Sequence, residues 1–71
     1  MSTLIFIYDN KLVAVIRGAS PSNIVDVASA LREGGINILE ITAETPGFLS
    51  MIEQVASAFD DILVGAGTVL D

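Results

Sequence analysis

Three short runs rich in β-branched and other apolar residues recur along this chain at intervals of about 25 residues. They are centred near Val13, Ile38 and Val64, and amphipathic segments with helical spacing lie between them. Parallel strands need crossover connections of a dozen or more residues, usually helices, and this interval supplies them. It is also the interval of a (β/α)8 barrel or of one half of a doubly wound sheet. The sequence therefore predicts an α/β fold built on a β-α-β-α-β parallel unit.

We predict strands at about residues 12–17, 36–42 and 62–66, and helices at about 21–33 and 46–59. Ser20 before Pro21 is typical of an N-cap followed by proline at the first helical position, and Gly34-Gly35 is expected to end that helix. Residues 1–10 are open to two interpretations. Leu4–Tyr8 could form a hairpin strand turning at Asp9-Asn10, or the segment could form a short helix at the bottom of a barrel.

Composition narrows the classes of function. The chain has 71 residues, a net charge of −6 from nine acidic and three basic residues, and neither Cys nor His. Too few cations are present for a nucleic-acid surface, and the usual zinc ligands are missing. No run approaches the roughly 18 apolar residues of a membrane helix, so a cytoplasmic protein is expected. A hydrophobic content of 52% exceeds what so small a domain buries alone, which predicts a large interface or a longer parent protein.

Glu40 is the strongest indication of chemistry. It interrupts the apolar run Ile36–Thr42, and a strand of a parallel sheet is typically covered on both faces. A carboxylate buried there without a partner is costly. We therefore expect Glu40 to have either an ionic partner or a catalytic function.

Strand alternation predicts which side chains share the face that carries Glu40. That face is expected to comprise Val13, Val15 and Arg17, then Ile38, Glu40 and Thr42, then Val64, Ala66 and Thr68. Ligands of α/β folds bind at the carboxyl ends of the strands, where Arg17, Thr42 and Thr68 fall. Arg17 and Glu40 could thus serve one cavity as an anion-binding cation and a shielded base. The alternative is that they form a buried ion pair.

The segment Gly65-Ala66-Gly67-Thr68 also has two interpretations. Its glycines could let backbone N–H groups approach a phosphate, or they could simply make a tight turn between a strand and a helix. The segment lacks the third glycine of the dinucleotide-binding fingerprint.

Four stretches, KLVAVIRG (11–18), GGINILEIT (34–42), TPG (45–47) and VGAGTVLD (64–71), together resemble the 2-keto-3-deoxy-6-phosphogluconate (KDPG) and 4-hydroxy-2-oxoglutarate (KHG) aldolases. The resemblance covers about residues 9–71. It implies a class I aldolase on a (β/α)8 TIM barrel, usually a trimer, that forms a Schiff base and releases pyruvate and an aldehyde without metal or cofactor. It also favours the helix over the hairpin for residues 1–10.

The resemblance implies roles for three residues. Glu40 matches the general acid/base, Thr68 matches a threonine that holds the pyruvate carboxylate, and Arg17 matches an arginine that binds the same carboxylate in some members. Many members instead carry an arginine where this chain has Glu44, and a carboxylate there is expected to repel an anionic substrate.

The Schiff-base lysine of the family matches no residue here, because it belongs to a later strand. Lys11 precedes the first predicted strand of the parallel unit, at the opposite end of the barrel. The sequence therefore predicts the N-terminal portion of such an aldolase, inactive alone, whose parent acts on a 2-keto-3-deoxy sugar acid phosphate or on 4-hydroxy-2-oxoglutarate. A homo-oligomer is expected.

Two functions of other classes remain open. The chain could be a non-catalytic α/β module that pairs with itself or with a partner through its sheet edges. It could also be a small anion-binding domain that uses residues 65–68.

Overall fold

The computed structural model describes residues 1–67, which form one four-stranded sheet and two helices. The elements follow one another along the chain as β1 (Ser2–Tyr8), β2 (Lys11–Arg17), α1 (Ile24–Glu33), β3 (Ile38–Thr42), α2 (Phe48–Ala58) and β4 (Leu63–Gly67). The strand order in the sheet is β1-β2-β3-β4, with β2, β3 and β4 parallel and β1 antiparallel to β2. The parallel part is the predicted β-α-β-α-β unit.

Residues 1–10 form the first strand and the turn of a hairpin with β2, so the helix that was favoured for these residues is wrong. Ser2–Tyr8 pairs with Lys11–Arg17 along its whole length. Asp9 and Asn10 both have positive φ, 55° and 66°, which is the backbone of a two-residue turn matching the twist of the flanking strands. Asp and Asn tolerate this conformation better than other non-glycine residues. The run of Leu, Ile, Phe and Tyr in β1 suits a strand more than a helix.

Helix α1 begins at Ile24, three residues later than predicted. Asn23, not Ser20, is the N-cap, because residues 20–23 first close a turn in which the Ser20 carbonyl accepts the N–H groups of Asn23 and Ile24. The Asn23 side-chain oxygen in turn accepts the Ser20 N–H at 2.9 Å. At the other end, Gly35 has φ +94°, and the Ile36 N–H returns to the Leu31 carbonyl. The double glycine therefore ends the helix where the sequence predicted.

Helix α2 also begins late, at Phe48, because Gly47 takes a left-handed conformation with φ +81°. A Cβ atom at Gly47 would lie 3.0 Å from Cγ of Pro21. The glycine thus lets the β3–α2 loop pass against the start of the β2–α1 connection. Strand β3 begins at Ile38, two residues after the predicted start.

The core lies between the sheet and the two helices. Its fully buried side chains come from β2, β3 and both helices, and comprise Ala14, Ile16, Leu39, Ile41, Ile24, Ala28, Met51 and Val55. All of the strand residues among them point to one face of the sheet, since they occupy alternate positions. The opposite face carries Arg17 and Glu40 and has no helix of residues 1–67 over it. Neither described helix has the length and apolar character needed to cross a bilayer.

Candidate functional site

An open cavity of about 420 Å³ lies on the helix-free face of the sheet. Its polar lining comes from Arg17, Glu40 and Thr42, at or near the carboxyl ends of β2 and β3, and its apolar wall includes Leu4, Phe6 and Tyr8 of β1. In parallel sheets this end of the strands is where ligands bind. The structure therefore brings Arg17 and Glu40 to one cavity, as the alternation predicted. The apolar wall was missed, because it exists only when residues 1–10 form a strand.

Glu40 lies in the middle of the sheet, opposite Val15 of β2 and Gly65 of β4. Its side chain is half-buried rather than fully desolvated, because the face that it occupies opens to the cavity. Within residues 1–67 no hydrogen bond or ion pair holds its carboxylate. A carboxylate in this position can exchange a proton with a molecule in the cavity.

The absence of a side chain at Gly67 leaves room for the Glu40 side chain on this face of the sheet. A Cβ atom at Gly67 would lie 3.2 Å from Cβ of Glu40 and 3.8 Å from its Oε2. Such an approach is tighter than ordinary van der Waals contact, so a larger residue at Gly67 would push the Glu40 side chain aside. Gly65 and Gly67 lie within β4, so residues 65–67 continue the strand and do not form the predicted tight turn. Whether the segment 65–68 binds a phosphate stays a prediction, since Thr68 lies outside the described residues.

The register of β4 corrects one predicted face. Val64 lies opposite Leu39 and Ala66 opposite Ile41, and Val64 packs against the helix-covered core. The two glycines, not Val64 and Ala66, therefore share the side of the sheet with Glu40, although Ala66 contributes to the cavity wall. Thr68, the third candidate site residue, lies outside the described residues.

Arg17 ends β2, and the ion pair that the structure gives it is with Glu44. Its Nε atom lies 3.6 Å from Oε1 of Glu44, and about half of each side chain is exposed. The predicted alternative of a buried Arg17–Glu40 pair is therefore wrong. The β3–α2 loop carries Glu44 to the mouth of the cavity, beside the cation that the sequence proposed for substrate binding.

Two buried threonines hold this loop against the end of β2. The Thr42 and Thr45 hydroxyl oxygens are 2.7 Å apart, and Thr45 Oγ1 also accepts the Gly18 N–H at 3.4 Å. Thr42 and Thr45 are the buried polar residues of the described chain. Thr45 was not among the predicted site residues, because a contact across 27 residues leaves no local pattern.

Lys11 lies at the other end of the sheet. It begins β2, whereas Glu40 is level with Val15, four residues further along that strand. At about 3.3 Å per residue the two are separated by about 13 Å along the strand direction. Lys11 lines a different pocket, near Asn37 and Asp60 at the amino ends of the strands. It is therefore not placed to react with a molecule bound beside Glu40.

The fold and the cavity define a class of protein, an α/β unit with a largely apolar cavity that carries Arg17, Glu40 and Thr42 at or near the carboxyl ends of its parallel strands. The family model for KDPG and KHG aldolases matches residues 6–71, so the chain belongs to this aldolase family.

Curated relatives agree with the family model. The chain is 44% identical over 45 residues to a 2-dehydro-3-deoxy-phosphogluconate aldolase of Pseudoalteromonas atlantica, covering 63% of this chain and 21% of the relative. It is 36% identical over 61 residues to the enzyme of that name from Pseudomonas aeruginosa, covering 86% and 28%. It is 37% identical over 60 residues to the KHG/KDPG aldolase of Escherichia coli, covering 84% and 28%. The matched segments thus span about a quarter of these relatives. No solved structure gives a significant match.

Proposed function

We propose that this chain is the N-terminal part of a class I aldolase, in which residues of later strands complete a (β/α)8 barrel around the cavity. The parent would cleave 2-keto-3-deoxy-6-phosphogluconate or 4-hydroxy-2-oxoglutarate to pyruvate and an aldehyde. The observation that carries the proposal is that Arg17 and Glu40 line one cavity at the carboxyl ends of the strands, in a chain of the KDPG and KHG aldolase family.

In this mechanism a lysine outside the chain forms an imine with the 2-oxo group, and the protonated imine accepts the electrons of the breaking carbon–carbon bond. A proton must leave the hydroxyl group beside that bond, and another must reach the carbon that becomes the pyruvate methyl group. Glu40 is the proposed carrier of these protons, since its carboxylate faces the cavity and has no partner within residues 1–67. Arg17, together with Thr68, would bind the substrate carboxylate.

The chain alone is expected to be inactive. Its only lysine, Lys11, lies about 13 Å below the level of Glu40 along the strands. Treatment with pyruvate and borohydride, followed by mass spectrometry, should leave the 71-residue chain unmodified. A stable pyruvate adduct on Lys11 would show that this chain carries its own imine-forming residue and would contradict the proposal.

The positive test is a chimaera in which this chain replaces the matching stretch of the Escherichia coli KHG/KDPG aldolase. We expect the chimaera to release pyruvate and to be trapped by borohydride. Glu40→Gln should lower kcat by about 10²–10⁴-fold while trapping persists, because proton transfer is lost and the lysine is intact. Glu53→Gln, which alters an exposed carboxylate on α2, is the matched control. If Glu40→Gln kept near-normal kcat, the catalytic assignment would be wrong.

A second proposal concerns assembly and has its own support. We propose that the chain associates with further copies of itself through β1, one of the two outer strands of the described sheet. Five consecutive large apolar residues of β1, Leu4 to Tyr8, are each at least half exposed. The strand contains no charged residue or proline, the features that natural edge strands use to prevent pairing with another chain.

A further inference from the structure

Glu44 occupies the position from which it can compete with a ligand for Arg17. The Nε–Oε1 distance of 3.6 Å is long for a hydrogen bond, and both side chains are about half exposed. Water screens such a pair, so the contact is weak and can be exchanged for another. A ligand carboxylate that meets the Arg17 guanidinium with two parallel N–H···O bonds is a stronger partner than Glu44 in this geometry.

The charges around the cavity set a limit on what can replace Glu44. Glu40 lines the cavity beside Arg17, and Glu44 adjoins its mouth. The other two cationic side chains lie elsewhere, since Arg32 pairs with Asp61 and Lys11 lines the pocket at the opposite end of the sheet. The N-terminal nitrogen of Met1 lies beside Gly18, 3.8 Å from where a Cβ atom of that residue would be, but Met1 does not line the cavity. Within residues 1–67, one ligand charge can thus be matched by Arg17, but a second charge next to it meets two carboxylates.

The β3–α2 loop is held where it keeps Glu44 near Arg17. The Thr42–Thr45 hydroxyl contact and the bond from the Gly18 N–H to Thr45 join this loop to the residue that follows Arg17. The hydrogen bonds of Thr45 therefore keep Glu44 close to Arg17, even though the Glu44 and Arg17 side chains themselves are exposed.

We propose that Glu44 is a specificity-determining residue. Without a ligand, Glu44 pairs with Arg17. A single ligand carboxylate displaces Glu44 from Arg17, whereas a second negative charge adjacent to the first is repelled by Glu44. The site accordingly favours a 2-oxo monocarboxylate such as pyruvate over a ligand with two adjacent carboxylates such as oxalate, and it does not exclude 4-hydroxy-2-oxoglutarate, whose second carboxylate lies at the far end of the molecule. The inference rests on the proposed function in one respect, namely that Arg17 binds the substrate carboxylate.

Pyruvate and oxalate test the inference, because they are nearly equal in size and differ by one charge. Each is titrated into the 71-residue chain and followed by the backbone amide signals in NMR spectra. We expect pyruvate to bind more tightly than oxalate to the unmodified chain. Glu44→Gln should tighten pyruvate binding by about twofold to fivefold, the range of one exposed ion pair. It should tighten oxalate binding by more, because the removed carboxylate repels both oxalate charges.

Two further variants separate competition at Arg17 from other effects. Glu53→Gln removes the same charge from an exposed position on α2, so it reports any effect of net charge alone. Arg17→Gln removes the proposed binding cation and should abolish most of the binding of both ligands. All three substituted residues are exposed, and matching spectra away from the β3–α2 loop will show that each variant is folded.

The outcomes distinguish the inference from the proposed function. If Glu44→Gln binds both ligands no better than the unmodified chain, or if Glu53→Gln gives the same gain, the role of Glu44 is overturned while Arg17 keeps its assignment. If neither ligand binds, or if Arg17→Gln binds both as well as the unmodified chain does, the assignment of the carboxylate site is overturned and the role of Glu44 falls with it. A larger gain for pyruvate than for oxalate would also overturn the charge selectivity.

Discussion

Strands β1 and β3 are both dominated by large apolar side chains, yet one is buried and the other is exposed. In β3, Leu39 and Ile41 are at most 1% exposed, whereas Ile5 and Ile7 of β1 are 53% and 77% exposed. Strand β3 follows α1 and precedes α2, and the parallel connections on both sides require helices that cover one sheet face. Strand β1 is joined to β2 by two residues, so no helix comes with it. Burial therefore follows from how a strand is connected, not from how apolar it is.

The comparison also separates two uses of a sheet face. On the helix-covered face apolar side chains make the core. On the other face Glu40 and Arg17 lie beside an apolar wall from β1, which is the composition of a ligand site with few, well-placed polar groups. If burial sets the energetic importance of a strand, substitutions in β3 should lower stability more than matched substitutions in β1.

Truncation of the buried strand should have the largest effect. Ile41→Ala is expected to lower the free energy of unfolding by about 2–5 kcal/mol, because it removes packing atoms from a filled core. Ile7→Ala removes the same atoms from an exposed position of β1 and is expected to cost less than about 1 kcal/mol. Urea denaturation monitored by circular dichroism compares the two variants. Equal losses would mean that β1 is as buried in solution as β3 is.

Loss of the buried threonine contact should come next. Thr45→Val leaves the buried Thr42 hydroxyl and the partly buried Gly18 N–H without their partner, and should cost about 1–3 kcal/mol. Thr45→Ser keeps the hydroxyl group and should recover most of this stability. The same denaturation measurement checks both variants. A Thr45→Ser variant as unstable as Thr45→Val would show that the γ-methyl group, which Val keeps and Ser loses, contributes as much as the hydroxyl group, and would contradict the expected recovery.

The exposed strand should matter for association more than for folding. Sedimentation at micromolar concentration is expected to show species heavier than the 7.4 kDa chain. Ile7→Lys places a charge on the edge strand and should weaken self-association by about tenfold, or about 1.4 kcal/mol. Ser57→Lys, on the exposed surface of α2, adds the same charge and should leave association unchanged. A well-folded monomer at these concentrations would contradict self-association through β1.

The smallest effect is expected on the helix side, at the surface. Arg32 of α1 donates to both Asp61 carboxylate oxygens at 2.9 Å and lies 5.7 Å from the centre of the Phe59 ring. Both charged groups are about half exposed, so Arg32→Gln should cost about 1 kcal/mol or less. Raising the salt concentration should reduce the difference between this variant and the unmodified chain. A loss as large as that of Ile41→Ala would mean that this contact, not the core, holds α1 to the sheet.

Much of the fold could be predicted because its signals are local. Hydrophobic periodicity indicated both helices and the three parallel strands, and the double glycine at 34–35 marked a helix end. The helix starts were early by two or three residues, because Ser20 and Pro21 lie in a turn before α1 and Gly47 delays α2. Residues 1–10 were predicted wrongly where a family resemblance was preferred to the β propensity of Leu4–Tyr8 and the turn pair Asp9-Asn10.

The site was partly predictable for the same reason. Alternation along each strand was enough to put Arg17 and Glu40 on one face. It was not enough to identify the partner of Arg17, because that depends on the path of the β3–α2 loop. Nor could it explain why a glycine is needed at position 67, because that depends on Glu40 in the neighbouring strand.

The sequence by itself determined the order of strands and helices from β2 onwards, the family, and the residue types that can do chemistry, since these depend on spacing and on residue identity. The tertiary structure alone decided the contacts between distant segments, namely Glu44 with Arg17, Thr45 with Gly18, and Gly67 with Glu40. It also decided that β1 forms an exposed edge. Each of these depends on strand register and loop path, which are set by the packing of the whole sheet and leave no periodic pattern in the chain.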